Sequence, residues 1–152
     1  MGLIYLDSCV LICLFESHPV FGPRVQEALF AHPKSHFAIS PLVKFECLVG
    51  PIRSGNLQLQ QYYEEGFGQF QQLPISEKAF LLAATIRGRF GLKPPDALHL
   101  AIAQIHCCDA LWTNDSRLDQ AAHGLARDIF LDILPGLKAG DSYGAQCSAW
   151  LH

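Results

Sequence analysis

The chain has 152 residues, of which 50% are apolar and 16% are charged, and its formal net charge is −3 at pH 7. This composition predicts one folded domain with a substantial core and excludes a disordered chain. No apolar run approaches the roughly 18 residues of a membrane span, and the charge balance gives no overall indication of nucleic-acid binding.

The first half of the chain alternates short apolar runs with helical patterns. The run at 2–6 has the composition of a central parallel strand, and Ser40 followed by Pro41 is a typical helix start. The spacing over 56–72 is helical, although two glycines loosen it. In chain order we predict a strand at 2–6, helices at 8–15 and 21–33, a strand at 36–40, and helices over 40–55 and 56–72.

The second half continues the alternation. A helix is predicted from a cap at Ser76 to Gly91, and a further helix follows the two prolines at 94–95. The predicted elements are a strand at 73–76, helices at 76–91 and about 95–108, a strand at 109–114, a helix at 115–124 and a strand at 127–133. We assign residues 1–134 to one domain and 135–152, rich in Gly, Ser and Ala, to a C-terminal tail.

Strands that alternate with helices predict an α/β fold of three layers, with a central, mainly parallel sheet flanked by helices. In such folds, ligands bind beyond the carboxyl ends of the strands. Asp7 and Asp115 directly follow predicted strands, and Asp96 lies in the first turn of a helix. Each aspartate has an alternative role, because an acid that opens a helix can cap it or interact with its dipole.

Glu46 favours the functional interpretation. On a helical wheel it shares an apolar stripe with Leu42 and Val49, and no basic residue lies one turn away on that stripe. A glutamate in that position must be paired, hydrogen-bonded, bound to a cation or raised in pKa. A salt bridge to a distant arginine is the structural alternative.

Four acids at one place repel each other unless a cation joins them. Mg²⁺ and Mn²⁺ prefer oxygen ligands, and a cluster with few histidine partners favours these ions over zinc. Such an ion activates water for the hydrolysis of phosphodiesters, so no protein nucleophile is required.

Four segments in order, "YLDS", "PLVKFE", "KPPDALHLAIA" and "LWTNDSRL", resemble the PIN-domain ribonucleases, in particular the VapC-type toxins of bacterial toxin–antitoxin pairs. The resemblance covers roughly residues 3–132. It implies a PIN-like fold, metal-dependent cleavage of RNA, a homodimer and a cognate antitoxin. By position, the resemblance makes Asp7, Glu46, Asp96 and Asp115 the catalytic, metal-binding acids, with Ser8, Thr113 and Asn114 orienting ligands or water; Asp119 is either an extra acid or an exposed helix residue.

The remaining signals concern the substrate and the partners. Arg87, Arg89 and Lys93 are possible contacts to RNA phosphates, or cations that favour a helix end. Further basic candidates are Arg53 and Arg117. The aromatic residues Tyr62, Tyr63, Phe67 and Phe70 could stack on bases, but a core or a groove for an antitoxin helix fits them better.

Two other features are interpreted as structural. We expect His99 to be a satisfied helix histidine and not a general base, because a metal centre makes an extra base unnecessary. We expect the six cysteines to be mostly small buried residues, in a cytoplasmic protein without an export signal.

Two alternative functions remain. A catalytically inactive PIN-like module could bind RNA or protein without cutting, although the complete set of four acids argues against it. A receiver-like phosphorelay domain would require adjacent acids after the first strand and a lysine after the last, and the sequence has neither.

Overall fold

The computed structural model describes residues 2–113 and, for the backbone, residues 126–128. In these residues, five parallel strands form one sheet with helices around it, so the predicted three-layer α/β fold is confirmed. The strands are β1 (Leu3–Leu6), β2 (His36–Ile39), β3 (Gln71–Gln72), β4 (Ala110–Thr113) and β5 (Ala126–Asp128). The helices are α1 (Ser8–Phe15), α2 (Phe21–Phe30), α3 (Pro41–Ser54), α4 (Leu57–Phe67), α5 (Glu77–Phe90) and α6 (Pro94–Ile105).

The strand order is β3-β2-β1-β4-β5, which places β1 in the middle of the sheet. Tyr5 of β1 is in register with Ala38 of β2 and with Leu111 of β4. Because all the strand pairs are parallel, the carboxyl ends of these three strands meet at one edge of the sheet. Asp7 and Ser40, which follow β1 and β2, therefore lie at the same edge as the end of β4.

The local signals for helix starts and ends are mostly confirmed. The Ser76 side chain caps α5 by accepting from the Ala79 N–H, and Gly91 ends this helix with a φ of 68°. Ser40 occupies the predicted cap position of α3 but makes no capping bond. Its hydroxyl is instead hydrogen-bonded to the Tyr5 hydroxyl at 2.7 Å.

Several predicted boundaries were wrong: α2 ends at Phe30 and not at residue 33, and α4 ends at Phe67 and not at residue 72. The strand expected at 73–76 is instead at Gln71–Gln72, three residues beyond the end of α4. Leu73 still donates its N–H to the carbonyl of Ile39, just beyond the end of the strand. Helix α6 ends at Ile105 and not near residue 108, because Cys107 adopts a positive φ of 53°. The predicted helix at 115–124, most of the strand at 127–133 and the tail lie outside the described residues.

The core lies between the sheet and the helices. Tyr5 and Leu6 of the central strand have no exposed surface, and α1 is buried from Ser8 to Cys13. Four of the five described cysteines are buried, as expected of small apolar side chains. Within the described part of the chain, no helix has the length and apolar character needed to cross a membrane.

Candidate metal centre

Asp7 is buried at the carboxyl end of β1, with its carboxylate fixed by hydrogen bonds from two elements. Its Oδ1 accepts from the Ser8 N–H at 2.6 Å and from the Ser8 hydroxyl at 3.2 Å. Its Oδ2 accepts from the Thr113 hydroxyl at 2.9 Å, from the end of β4. The first of these bonds also caps α1, so the capping role considered from the sequence is present. The same geometry holds the carboxylate in one orientation at the sheet edge.

Glu46 reaches the same place from the middle of α3. Its side chain is 23% exposed, and its Oε1 is hydrogen-bonded to Nε2 of His99. The partner that satisfies this glutamate is therefore a histidine from α6, and not a distant arginine. Phe45, the preceding residue, points away from the core and is 66% exposed.

His99 lies at the centre of this network and is only 1% exposed. Its Nε2 is 3.3 Å from Oδ1 of Asp7, in addition to its bond with Glu46. Its Nδ1 is 2.7 Å from the hydroxyl of Tyr5, which in turn bonds to the hydroxyl of Ser40. Both ring nitrogens are thus satisfied, as expected, and one histidine joins the described acids of the site.

The surroundings of His99 change its protonation. Burial by itself lowers the pKa of His99, but the charge of Asp7 and the hydrogen bond and charge of Glu46 raise it, with a further contribution from Asp96. The net result is a pKa above the ordinary value for histidine. In the absence of a metal ion, the imidazole therefore offsets part of the negative charge of the two carboxylates.

These three residues form a donor set that suits a divalent cation. One ligand atom each from Asp7, Glu46 and His99 lies within 4.8 Å of the other two. Two of the three are buried and the third is partly buried, so the repulsion between the carboxylates is only weakly screened by solvent. A small cation at this position would relieve that repulsion, because carboxylate oxygens and imidazole nitrogens are common metal ligands.

The structure describes only one of the other two predicted acids, Asp96. Asp96 is half-buried in the first turn of α6, one turn before His99, and its charge acts on that histidine. It is not part of the group of donor atoms within 4.8 Å. Asp115 lies outside the described residues, together with Asn114 and Asp119. Their roles as ligands or orienting groups remain predictions.

The predicted RNA-contacting cations lie at the junction of α5 and α6. Arg87, Arg89 and Lys93 are all exposed. Arg87 donates from Nη1 to the Leu92 carbonyl at 2.6 Å, so it also stabilises the end of its own helix. Arg53 is exposed near the end of α3, and Arg117 lies outside the described residues.

The aromatic residues of α4 are divided between the core and the surface. Tyr63 and Phe67 are buried, and the Tyr63 hydroxyl donates to Glu16 at 2.6 Å. Phe70 packs partly buried against Phe15. Tyr62 is 53% exposed, so of these four residues it has the largest surface free for contact with another molecule.

The sequence contains a spacing that indicates a position for His99 at the site. Asp96 and His99 are three residues apart on one helix, a spacing that places two side chains on neighbouring positions of the same face. If Asp96 faces the site, His99 is therefore expected to face it too. Tyr5, which has the pattern of an ordinary core residue, carried no comparable signal.

Together, fold and site define an α/β domain with an acidic cluster at the carboxyl edge of a parallel sheet. The family model described as the PIN domain matches residues 4–124, and the chain belongs to the PIN-domain family. A comparison with curated proteins finds no match.

Several solved structures share the fold. A toxin–antitoxin complex from Klebsiella pneumoniae contains a chain 26% identical to this one, with a TM-score of 0.69 and coverage of 83% of this chain and 97% of that chain. VapBC2 from Rickettsia felis, bound to a DNA fragment from its promoter, matches at 17% identity and a TM-score of 0.70, covering 82% and 97% of the two chains. FitAcB from Neisseria gonorrhoeae matches at 20% identity and a TM-score of 0.66, covering 84% and 98%.

Proposed function

We propose that this protein is a divalent-metal-dependent endoribonuclease that acts as the toxin of a toxin–antitoxin pair. The observation that carries the proposal is the convergence of Asp7 and Glu46. These residues come from separate elements, 39 positions apart in the chain, and their carboxylates meet at the carboxyl edge of the sheet in a PIN-family protein.

The proposed ion is Mg²⁺ or Mn²⁺, held by Asp7 and Glu46 together with Asp96 and Asp115. When bound, such an ion activates water and offsets the negative charge that develops on the phosphate and the leaving oxygen. Ser8 and the buried Thr113 keep the Asp7 carboxylate oriented, through the hydrogen bonds described above. Pre-oriented ligands lower the entropy that is lost when the reacting groups are brought together.

The proposed substrate is RNA with accessible single-stranded segments, because a phosphodiester must reach acids that are buried or partly buried. Exposed Arg87, Arg89 and Lys93 would attract its phosphates. These cations supply a local attraction that the net charge of −3 does not.

The proposed protein partners are a cognate antitoxin and a second copy of the chain. The similarity to a chain of the Klebsiella pneumoniae toxin–antitoxin complex supports the first partner. Exposed apolar side chains on α3 and α4 offer a surface of the right chemistry, since exposed apolar patches mark interaction sites. They are Phe45, Ile52, Leu57 and Tyr62.

The enzymatic part is tested with the purified full-length chain and RNA in buffers containing Mg²⁺, Mn²⁺ or a chelator. We expect cleavage only with metal, and we expect Asp7→Asn, Glu46→Gln and Asp96→Asn each to reduce it by more than the roughly 10–100-fold typical of residues that only support a ligand. The matched control is Glu64→Gln, since Glu64 is an exposed residue of α4 whose carboxylate accepts a hydrogen bond from Gln60 of the same helix. Asparagine at position 7 can still accept from the Ser8 N–H, so the cap is retained.

Equal activity of the wild type and the acid variants would refute the catalytic assignment. Binding of RNA without cleavage under every metal condition would favour the inactive binding module. The toxin role is tested separately, by expression in a bacterial host with and without the product of a neighbouring small gene. We expect growth arrest that this product relieves, and an unaffected host would refute the toxin role while leaving the nuclease assignment intact.

A further inference from the structure

His99 contributes a nitrogen atom to a site that was expected to contain only oxygen donors. We propose that Nε2 of His99 is itself a ligand of the metal ion, and that the resulting carboxylate–imidazole centre binds Mn²⁺ in preference to Mg²⁺. This inference deepens the function proposed above and rests on its metal site.

The positions of the donor atoms support a role as a ligand. Nε2 is 3.3 Å from Oδ1 of Asp7, and all three donor atoms lie within 4.8 Å of one another. An octahedral ion with bonds of about 2.1 Å separates its ligand atoms by about 3 to 4 Å, so the pair formed by Asp7 and His99 needs little adjustment. Glu46 must move away from Nε2 to admit an ion. Its side chain is 23% exposed, whereas that of His99 is 1% exposed, so the carboxylate is the group that can move.

The other side of the ring is built as metal-binding histidines usually are. Such a histidine donates its second ring N–H to a protein oxygen, which fixes the tautomer and orients the ring. Here Nδ1 is 2.7 Å from the Tyr5 hydroxyl, and this hydroxyl is 2.7 Å from that of Ser40. If Nδ1–H donates to Tyr5 and Tyr5 donates to Ser40, the lone pair of Nε2 points toward the two carboxylates. That arrangement is favourable only with a cation among the three donor atoms.

The three residues of this hydrogen-bond chain all lie in buried parts of the fold. Tyr5 lies on the central strand, Ser40 at the start of α3 and His99 on α6, and each is at most 1% exposed. A buried hydroxyl without its partner costs free energy, so this hydrogen-bond chain stays formed whether or not an ion is present. The ring is therefore held in place before the metal binds.

A nitrogen ligand has a consequence for the choice of ion. Both ions favour oxygen ligands, but Mn²⁺, a transition-metal ion, accepts an imidazole nitrogen in place of one oxygen more readily than the harder Mg²⁺ does. We therefore expect loss of His99 to weaken binding of Mn²⁺ more than binding of Mg²⁺. If His99 only held Glu46 in position, its loss would weaken the binding of both ions equally.

The experiment measures nitrogen coordination directly on the full-length chain. Pulsed electron paramagnetic resonance of bound Mn²⁺ detects coupling to a ligand nitrogen, and growth on ¹⁵N-labelled histidine identifies the residue type. We expect histidine coupling in the wild type, its loss in His99→Gln, and a dissociation constant for Mn²⁺ at least about 10-fold weaker in that variant, with a smaller change for Mg²⁺. His36→Gln is the matched control, because His36 is exposed at the start of β2, and it should behave as the wild type.

The outcomes distinguish a failure of His99 as a ligand from a failure of the metal site itself. Bound Mn²⁺ without histidine coupling would overturn the role of His99 as a ligand and leave the metal site intact. Failure of the wild type to bind Mn²⁺ would overturn both. If His99→Gln does not fold, crystals of the wild type soaked in Mn²⁺ provide the test by anomalous scattering. An ion within about 2.5 Å of Nε2 supports the proposal, and one beyond about 3 Å overturns it.

Discussion

Replacing Thr113 with valine removes one hydroxyl from the site and changes the size of the side chain little. Thr113 is 1% exposed at the end of β4, and its hydroxyl donates to Oδ2 of Asp7 at 2.9 Å. Valine has the same branched shape and suits a strand equally well, so the change adds no large cavity. The main effect is the loss of a buried hydrogen bond to a carboxylate.

The magnitude follows from the partner of that hydrogen bond. A hydrogen bond to a charged group contributes about 1.5–3 kcal/mol, and here the acceptor is a buried carboxylate. We therefore expect Thr113→Val to lower the free energy of unfolding by about 1.5–3 kcal/mol. Because Thr113 also orients Asp7, we expect the affinity for Mn²⁺ to fall by roughly 10–100-fold.

Urea unfolding of the metal-free chain gives the first quantity, and calorimetric titration with Mn²⁺ gives the second. The matched control is Thr85→Val on α5, where the hydroxyl is exposed and bonds to the Leu81 carbonyl at 3.4 Å. This change should stay within about 0.5 kcal/mol and leave Mn²⁺ binding unaltered. Equal losses of unfolding free energy in the two valine variants would refute the reasoning. The buried hydrogen bond to Asp7 would then stabilise the fold no more than an exposed hydrogen bond does.

Two further predictions concern stability. The pKa of His99 is raised on folding, so its stabilising contribution is complete below pH about 6.5 and is lost as the pH rises through the folded-state pKa. Urea unfolding with a chelator from pH about 6 to about 9 should show this fall in the wild type but less of it in His99→Gln, and parallel profiles would contradict it. Gly66→Ala places a Cβ 2.4 Å from the Phe15 ring, so it should lower the free energy of unfolding by about 1–3 kcal/mol. A Cβ at Gly88 has nothing within 4 Å, so Gly88→Ala should raise the free energy of unfolding by up to about 1 kcal/mol. The same unfolding assay measures both, and a Gly66→Ala chain as stable as the wild type would disprove the close contact.

The elements that the sequence predicted well are those with strong local signals. Helix α1 has the predicted bounds, and α5 begins and ends at the predicted cap residues Ser76 and Gly91. Capping and glycine conformation depend on a few neighbouring residues, so they are visible in the chain itself. Strand β3 has no such signal, because two exposed glutamines become a strand only by pairing with β2.

Some features of the candidate site likewise follow from local sequence signals, whereas others depend on how the elements pack. The sequence by itself determined that Asp7 follows a strand and that Glu46 stands on a largely apolar helix face, because periodicity and element order are local properties. Only the tertiary structure decided that His99 lies between these two acids, with Tyr5 and Ser40 behind it. These five residues come from three separate stretches of the chain, and hydrogen bonds between such stretches depend on how the elements pack. No pattern within one element specifies the distance between them.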